Sequence, residues 1–137
     1  MSENIYSVKP REVELARQLK DHEFEWDIMT GDWFFADDKL HVVMRKESSG
    51  NSVNVYGLRD HQYDLDDVVF LPHPSQCKEW INSNGWDLKM EDMSGEGVKI
   101  TIRKRHTEFK IEKTEPTEMA ALYAVMLGAM DLDLFGW

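Results

Sequence analysis

The chain has 137 residues and a net charge of −10 at pH 7, from 26 acidic against 16 basic side chains, with a single cysteine, Cys77. That length suits one domain, which buries roughly two-thirds of the surface its unfolded chain exposes, so a core forms without staples. One cysteine excludes an internal disulfide and a zinc knuckle, and the acidic balance argues against free nucleic acid, whose binding needs clustered Lys and Arg.

The start, Met1 to Tyr6, has neither a basic stretch nor an apolar run, so the expectation is a soluble, cytoplasmic protein without signal or membrane anchor. The charge is uneven. Residues 1–72 carry 15 acidic and 8 basic side chains, residues 73–137 carry 11 and 8.

Ile5 to Val8 reads as a short strand. Pro10 is tolerated in a first helical turn, and Val13, Ala16 and Leu19 follow at helical spacing, predicting a first helix that ends near Asp21. Between Asp21 and Asp38 the aromatics Phe24, Trp26, Trp33, Phe34 and Phe35 stand among seven carboxylates and no Lys or Arg. Two readings apply. Phe24, Trp26 and Ile28 alternate with acidic residues as a half-buried strand. Alternatively, the segment is an acidic, aromatic-studded face that docks on a basic partner.

Asp32 to Ala36, Asp37-Asp38 and Leu40 to Arg45 predict a β-hairpin, and Ser48 to Asn51 a second turn into the strand Ser52 to Leu58, completing a three-stranded meander. Arg59 to Asp67 reads as a polar loop before the apolar run Val68 to Leu71. Pro72 to Pro74 opens the second half.

Ser75 to Asn84 predicts a short helix presenting Cys77, Trp80 and Ile81, stopped by Gly85. The period then becomes two: Trp86, Leu88 and Met90; Val98, Ile100 and Ile102; Phe109 and Ile111. Such a one-sided sheet needs a cover. From Pro116 to Leu132 no charge interrupts the twelve residues between Glu118 and Asp131, which predicts a buried helix, too short to cross a bilayer, for which about 20 residues are needed. The expected fold is a single α+β domain, 1–137. Residues 1–72 form a helix plus meander, and 73–137 an α-β-β-β-α unit with both helices on one face of an antiparallel sheet.

The run Leu71-Pro-His-Pro-Ser-Gln-Cys-Lys-Glu-Trp-Ile, then Asn84-Gly-Trp, then Thr114-Glu-Pro-Thr-Glu-Met-Ala-Ala-Leu resembles small phage and prophage proteins of the phage ABA-sandwich type. Gly31-Asp-Trp-Phe34, after the Val13-Glu-Leu-Ala-Arg helix, is similar to the front of related prophage proteins. The resemblance rests on helix starts, turn glycines and packing positions, and it implies a phage-type accessory protein with no activity or functional residue to transfer.

No catalytic or cofactor motif is present. Asp64, Asp66 and Asp67 offer an oxygen cluster for a hard cation but lack the other residues of a calcium loop, and read as a solvated loop. His73 and Cys77 form half of a soft-metal site at best, with Cys77 read as a core residue. His22, His41, His61 and His106 are scattered. Arg103-Lys-Arg105 is the one basic knot, enough for a phosphate or a turn.

The expectation is therefore a protein that acts by binding, with the acidic first half as partner face. Asp32, Trp33, Asp37 and Asp38 carry it, along with Phe135 and Trp137 in the apolar tail Asp131 to Trp137, which is held by its own domain or by a second copy in a homodimer, or serves as a linear motif for a host protein. A concrete version is an inhibitor that occupies the nucleic-acid groove of a basic protein. Two other classes stay open: a small hydrolase or nucleotide-binding protein without a detectable motif, and a self-associating structural protein.

Overall fold

A computed structural model describes residues 9–22, 24, 29–49, 52–57 and 61–133. The expected strand at 5–8, the expected strand at 24–28 apart from the half-buried Phe24, and the tail residues Phe135 and Trp137 lie outside them. The class is α+β, with three helices and three small antiparallel sheets among the described residues. The chain divides into two compact units, Met1–Pro72 and His73–Trp137.

The first unit opens with α1 (Pro10–Asp21). Pro10 starts it without losing a hydrogen bond, and the Lys9 amide donates at 3.0 Å to Oε1 of a fully buried Glu12, the return half of a capping box. Strands β1 (Trp33–Ala36) and β2 (Lys39–Val42) form the expected hairpin. Beyond it the chain departs from the single meander. Val43 N–H donates to Asp32 O at 2.8 Å, closing the hairpin, whereas the next amide, Met44, donates to Tyr56 O at 2.7 Å in a different sheet.

Adjacent amides point to opposite sides of an extended chain, so this one step hands the backbone from one sheet to the other. The second sheet holds β3 (Arg45–Ser49), β4 (Ser52–Tyr56) and β5 (Gln62–Asp64). The expected loop 59–67 thus contains a strand and a 3₁₀ turn, Leu65–Asp67. The apolar run becomes β6 (Val69–Leu71), which pairs with β1 to give the order β2-β1-β6. Phe34, Ala36, Val43, Val55 and Val68 form one core cluster of this unit, with Tyr63, Leu65 and Phe70 packed against it.

The second unit follows the α-β-β-β-α expectation. Helix α2 (Pro74–Ser83) is capped by the His73 amide donating to Gln76 Oε1 at 2.6 Å and ends before Gly85, whose φ of +87° is the left-handed stop. Strands β7 (Trp86–Asp92), β8 (Val98–Lys104) and β9 (Lys110–Glu115) form one meander. The 16-residue α3 (Glu118–Asp133) lies over β8 and β9 and against α2, which covers β7. Leu88, Ile102 and Ile111 stand in register on the covered face, while Lys99, on the other, bridges Glu91 and Glu112. Every side chain from Met119 to Leu127 is buried, as an uncharged helix requires. No helix among the described residues is long and apolar enough to cross a membrane.

Candidate docking face of the first unit

The β1–β2 hairpin turns on Asp37 and Asp38 alone, with φ of +52° and +61°. Two consecutive left-handed residues make the tight turn whose twist matches antiparallel strands, and aspartate is among the few side chains that tolerate it. Both carboxylates stand exposed at the tip. Tyr63 Oη donates to Asp37 Oδ2 at 3.1 Å, and desolvation, followed by that bond and the carboxylate charge, raises the phenol above its ordinary value.

A two-residue turn also sets register and face. Trp33 lies opposite Val42 and Phe35 opposite Leu40, so these four apolar residues share one face of the sheet with Val69 and Leu71 of β6. Helix α1 packs on β6, where Val69 and Leu71 are buried. Towards β2 the cover runs out. Trp33, Phe35 and Leu40 are half-buried and Val42 is 38 % exposed, with Met44 exposed just beyond. Between α1 and the hairpin runs an open groove of about 710 Å³ lined by Pro10, Val13, Glu14, Arg17, Phe35 and Asp38. The Arg17 guanidinium sits 5.9 Å from the Phe35 ring centre.

The opposite face is closed. His41 stacks on Phe34 with ring centres 4.9 Å apart, and its Nε2 lies 3.0 Å from Ala36 O. A carbonyl only accepts, so Nε2 carries the proton. This histidine, which reads as scattered in the sequence, is a packing and tautomer-fixed residue of the hairpin.

Of the residues singled out in the sequence, Asp37, Asp38 and Trp33 come together on the hairpin. Asp32 does not join them: it is 7 % exposed, and its Oδ2 accepts from the Met29 amide at 2.8 Å, so its carboxylate holds the turn that enters β1. Phe35, named only within the acidic aromatic segment, joins them on the face of Trp33, and Leu40, Val42, Glu14 and Arg17 were missed. Leu40 and Val42 were legible in principle, because a two-residue Asp-Asp turn implies the pairing that puts them on that face.

No known protein family, curated protein or solved structure matches this chain. The face is therefore read on its own geometry.

Other candidate chemistries dissolve into structural roles. Asp64 Oδ1 accepts from the Asp66 amide at 2.9 Å, capping the 3₁₀ turn, and no group of three or more His, Cys, Asp or Glu among the described residues is arranged to hold a metal ion. Lys20 Nζ donates to Asp66 O at 2.6 Å and Val68 O at 2.8 Å, tying that turn to α1. Cys77 is fully buried, and desolvation pushes its thiol far up, so it stays protonated rather than nucleophilic. Two of the three residues of the basic knot are engaged: Arg105 donates to Asn82 and to Asp87 Oδ1, and Lys104 reaches Asn84 O while its ammonium lies 5.1 Å from the Trp86 ring; Arg103 stands exposed. These bonds clamp the end of α2 to the start of β7.

Proposed function

We propose that this protein is a protein-binding module that docks on a basic partner through the β1–β2 hairpin face, acting by association rather than catalysis. One observation carries the reading: four apolar side chains share a face that α1 leaves half-open, at the foot of two exposed aspartates. Apolar anchors beside rim charges are the anatomy of an interface, the anchors supplying affinity and the charges supplying steering and specificity. The net charge of −7 over residues 1–72 favours a cationic partner. In the setting implied by the resemblance to phage and prophage proteins, the module is an accessory protein of the cytoplasm that neutralises a basic host surface.

The test is capture of proteins from a lysate by the full chain, the Asp37→Asn/Asp38→Asn variant and the Trp33→Ala variant, at low and high salt. Rim charges contribute about 0.2–1 kcal/mol each, so the double variant weakens capture several-fold. Loss of an anchor tryptophan costs about 2 kcal/mol or more, roughly thirtyfold. Capture that is indifferent to salt and to both variants overturns the reading.

A further inference from the structure

We infer that the partner docks as an added β-strand along the free edge of β2, and that the docking segment is extended, apolar at alternate positions and basic beside the Asp37–Asp38 turn. The inference rests on the docking reading above and specifies its geometry.

The hairpin register decides which backbone groups are spent. With a two-residue turn, Ala36 and Lys39 form the first hydrogen-bonded pair, and the pattern alternates from there. The Val43 amide bonded to Asp32 O at 2.8 Å confirms the phase. Lys39, His41 and Val43 therefore aim their amides and carbonyls at β1. Leu40 and Val42 aim theirs away. β2 is the terminal strand in the order β2-β1-β6, and no hydrogen bond joins the Leu40 or Val42 main chain to any described residue. Two amides and two carbonyls stand ready in a row.

Free edges in soluble proteins are usually blunted by proline, by inward charges or by a covering element. Among the described residues Lys39 is the only such device on this edge, and it sits at the turn end. Beyond it come Val42 and Met44, both exposed. The side chains bordering the edge on the groove face are apolar: Leu40 and Val42 on the strand, with Phe35 and Trp33 behind them. A strand added here places every second side chain on that surface, which selects for alternating apolar residues. Its end beside the turn meets Asp37 and Asp38, which select for Lys or Arg there; across the groove Glu14 is already paired with Arg11 at 2.8 Å, and Arg17 lies over Phe35.

The experiment is residue-resolved amide hydrogen exchange on the full chain, with and without a short synthetic peptide alternating lysine with valine. Strand addition slows exchange at Leu40 and Val42 by about tenfold or more at saturation, while His41 and Val43, already bonded to β1, change little. Val42→Pro removes an outward amide without touching the bonds to β1 and abolishes binding, whereas Val42→Thr, which keeps the amide but puts a hydroxyl among the apolar contacts, binds more weakly with Leu40 still protected. Should the peptide bind with Leu40 and Val42 exchanging as before, strand addition falls and side-chain docking on a basic partner survives. Equal protection by a peptide alternating glutamate with valine leaves strand addition standing and removes the basic partner. Protection that grows with protein concentration in the absence of peptide makes a second copy the occupant and overturns the assignment. Absence of binding up to the solubility of the peptide overturns both.

Discussion

In the second unit, Ile100 and Ile102 of β8 are fully buried beneath a helix that is itself buried over nine consecutive side chains. In the first unit, the equivalent apolar face of the β1–β2 hairpin keeps Trp33, Phe35 and Leu40 half-buried and leaves Val42 38 % exposed. Both faces are written with the same alternation, but in the second unit the central strand is fully covered and the opening is confined to the rim at Met90, whereas none of the four hairpin residues is fully buried. An apolar strand face that its own unit leaves half-covered adds little to stability and is available for binding. Substitution separates the two roles.

The largest effect is expected at Gly97, at the turn between β7 and β8. Its φ is +106°, and a Cβ there would overlap the Glu115 carbonyl oxygen, a backbone atom that cannot step aside. Gly97→Ala is expected to cost more than about 4 kcal/mol in chemical denaturation, because positive φ and steric overlap add. Ile102→Ala, which empties a fully buried site, costs about 3 kcal/mol. A loss below about 1 kcal/mol at either position refutes the closed core of the second unit.

Asp32→Ala removes the acceptor for the Met29 amide in a buried turn, with an expected loss of about 1–2 kcal/mol and faster exchange at the Met29 amide. Val42→Ser then completes the contrast. Its stability change stays within about 0.5 kcal/mol, as for other exposed positions, while Ile102→Ser denatures the second unit. Equal costs for the two serine variants mean that the hairpin face is covered after all.

The smallest effect is a dependence on alkaline pH. Cys77 is raised above 9.0 chiefly by desolvation, Tyr63 above 10.0 by desolvation and then Asp37, and Lys99 above 10.5 by the charges of Glu112 and Glu91. A group that holds its proton more tightly when folded lends stability that is complete below its unfolded pKa and is lost as pH rises through the folded one. These groups therefore contribute a fall in melting temperature that begins near pH 9.0. Asp37→Asn moves the Tyr63 titration, followed by NMR, back towards 10.0. An unmoved titration shows that the hairpin tip is not tied to β5.

Much of this was legible beforehand. Thr117 accepts from the Ala120 amide where the last helix was expected to start, and Gly85 stops α2 with the positive φ that its place after Asn84 implied. The strands of the second unit run long enough, six or seven residues, for a period of two to show. The first unit was harder for the converse reason. β5 and β6 have three residues each, too few for any period, and β3, Arg-Lys-Glu-Ser-Ser, has no apolar residue to alternate. Of the candidate face, the carboxylates of the turn were visible. So was Trp33; Leu40 and Val42 join it only through the pairing across the hairpin, which the two-residue turn implies.

Local pattern alone determined the elements whose information is contained within a few consecutive residues: the helix starts and stops, the Asp37–Asp38 turn, the alternating strands and the uncharged α3. Tertiary structure decided what depends on partners distant in the chain. Val43 and Met44 bond to different sheets, β6 returns to β1 across more than thirty residues, and β2 consequently ends as an open edge. An isolated strand is the same chemical object in the middle of a sheet or at its border. Only pairing distinguishes an amide already bonded from one still available, and at Leu40 and Val42 the pairing left the amides available.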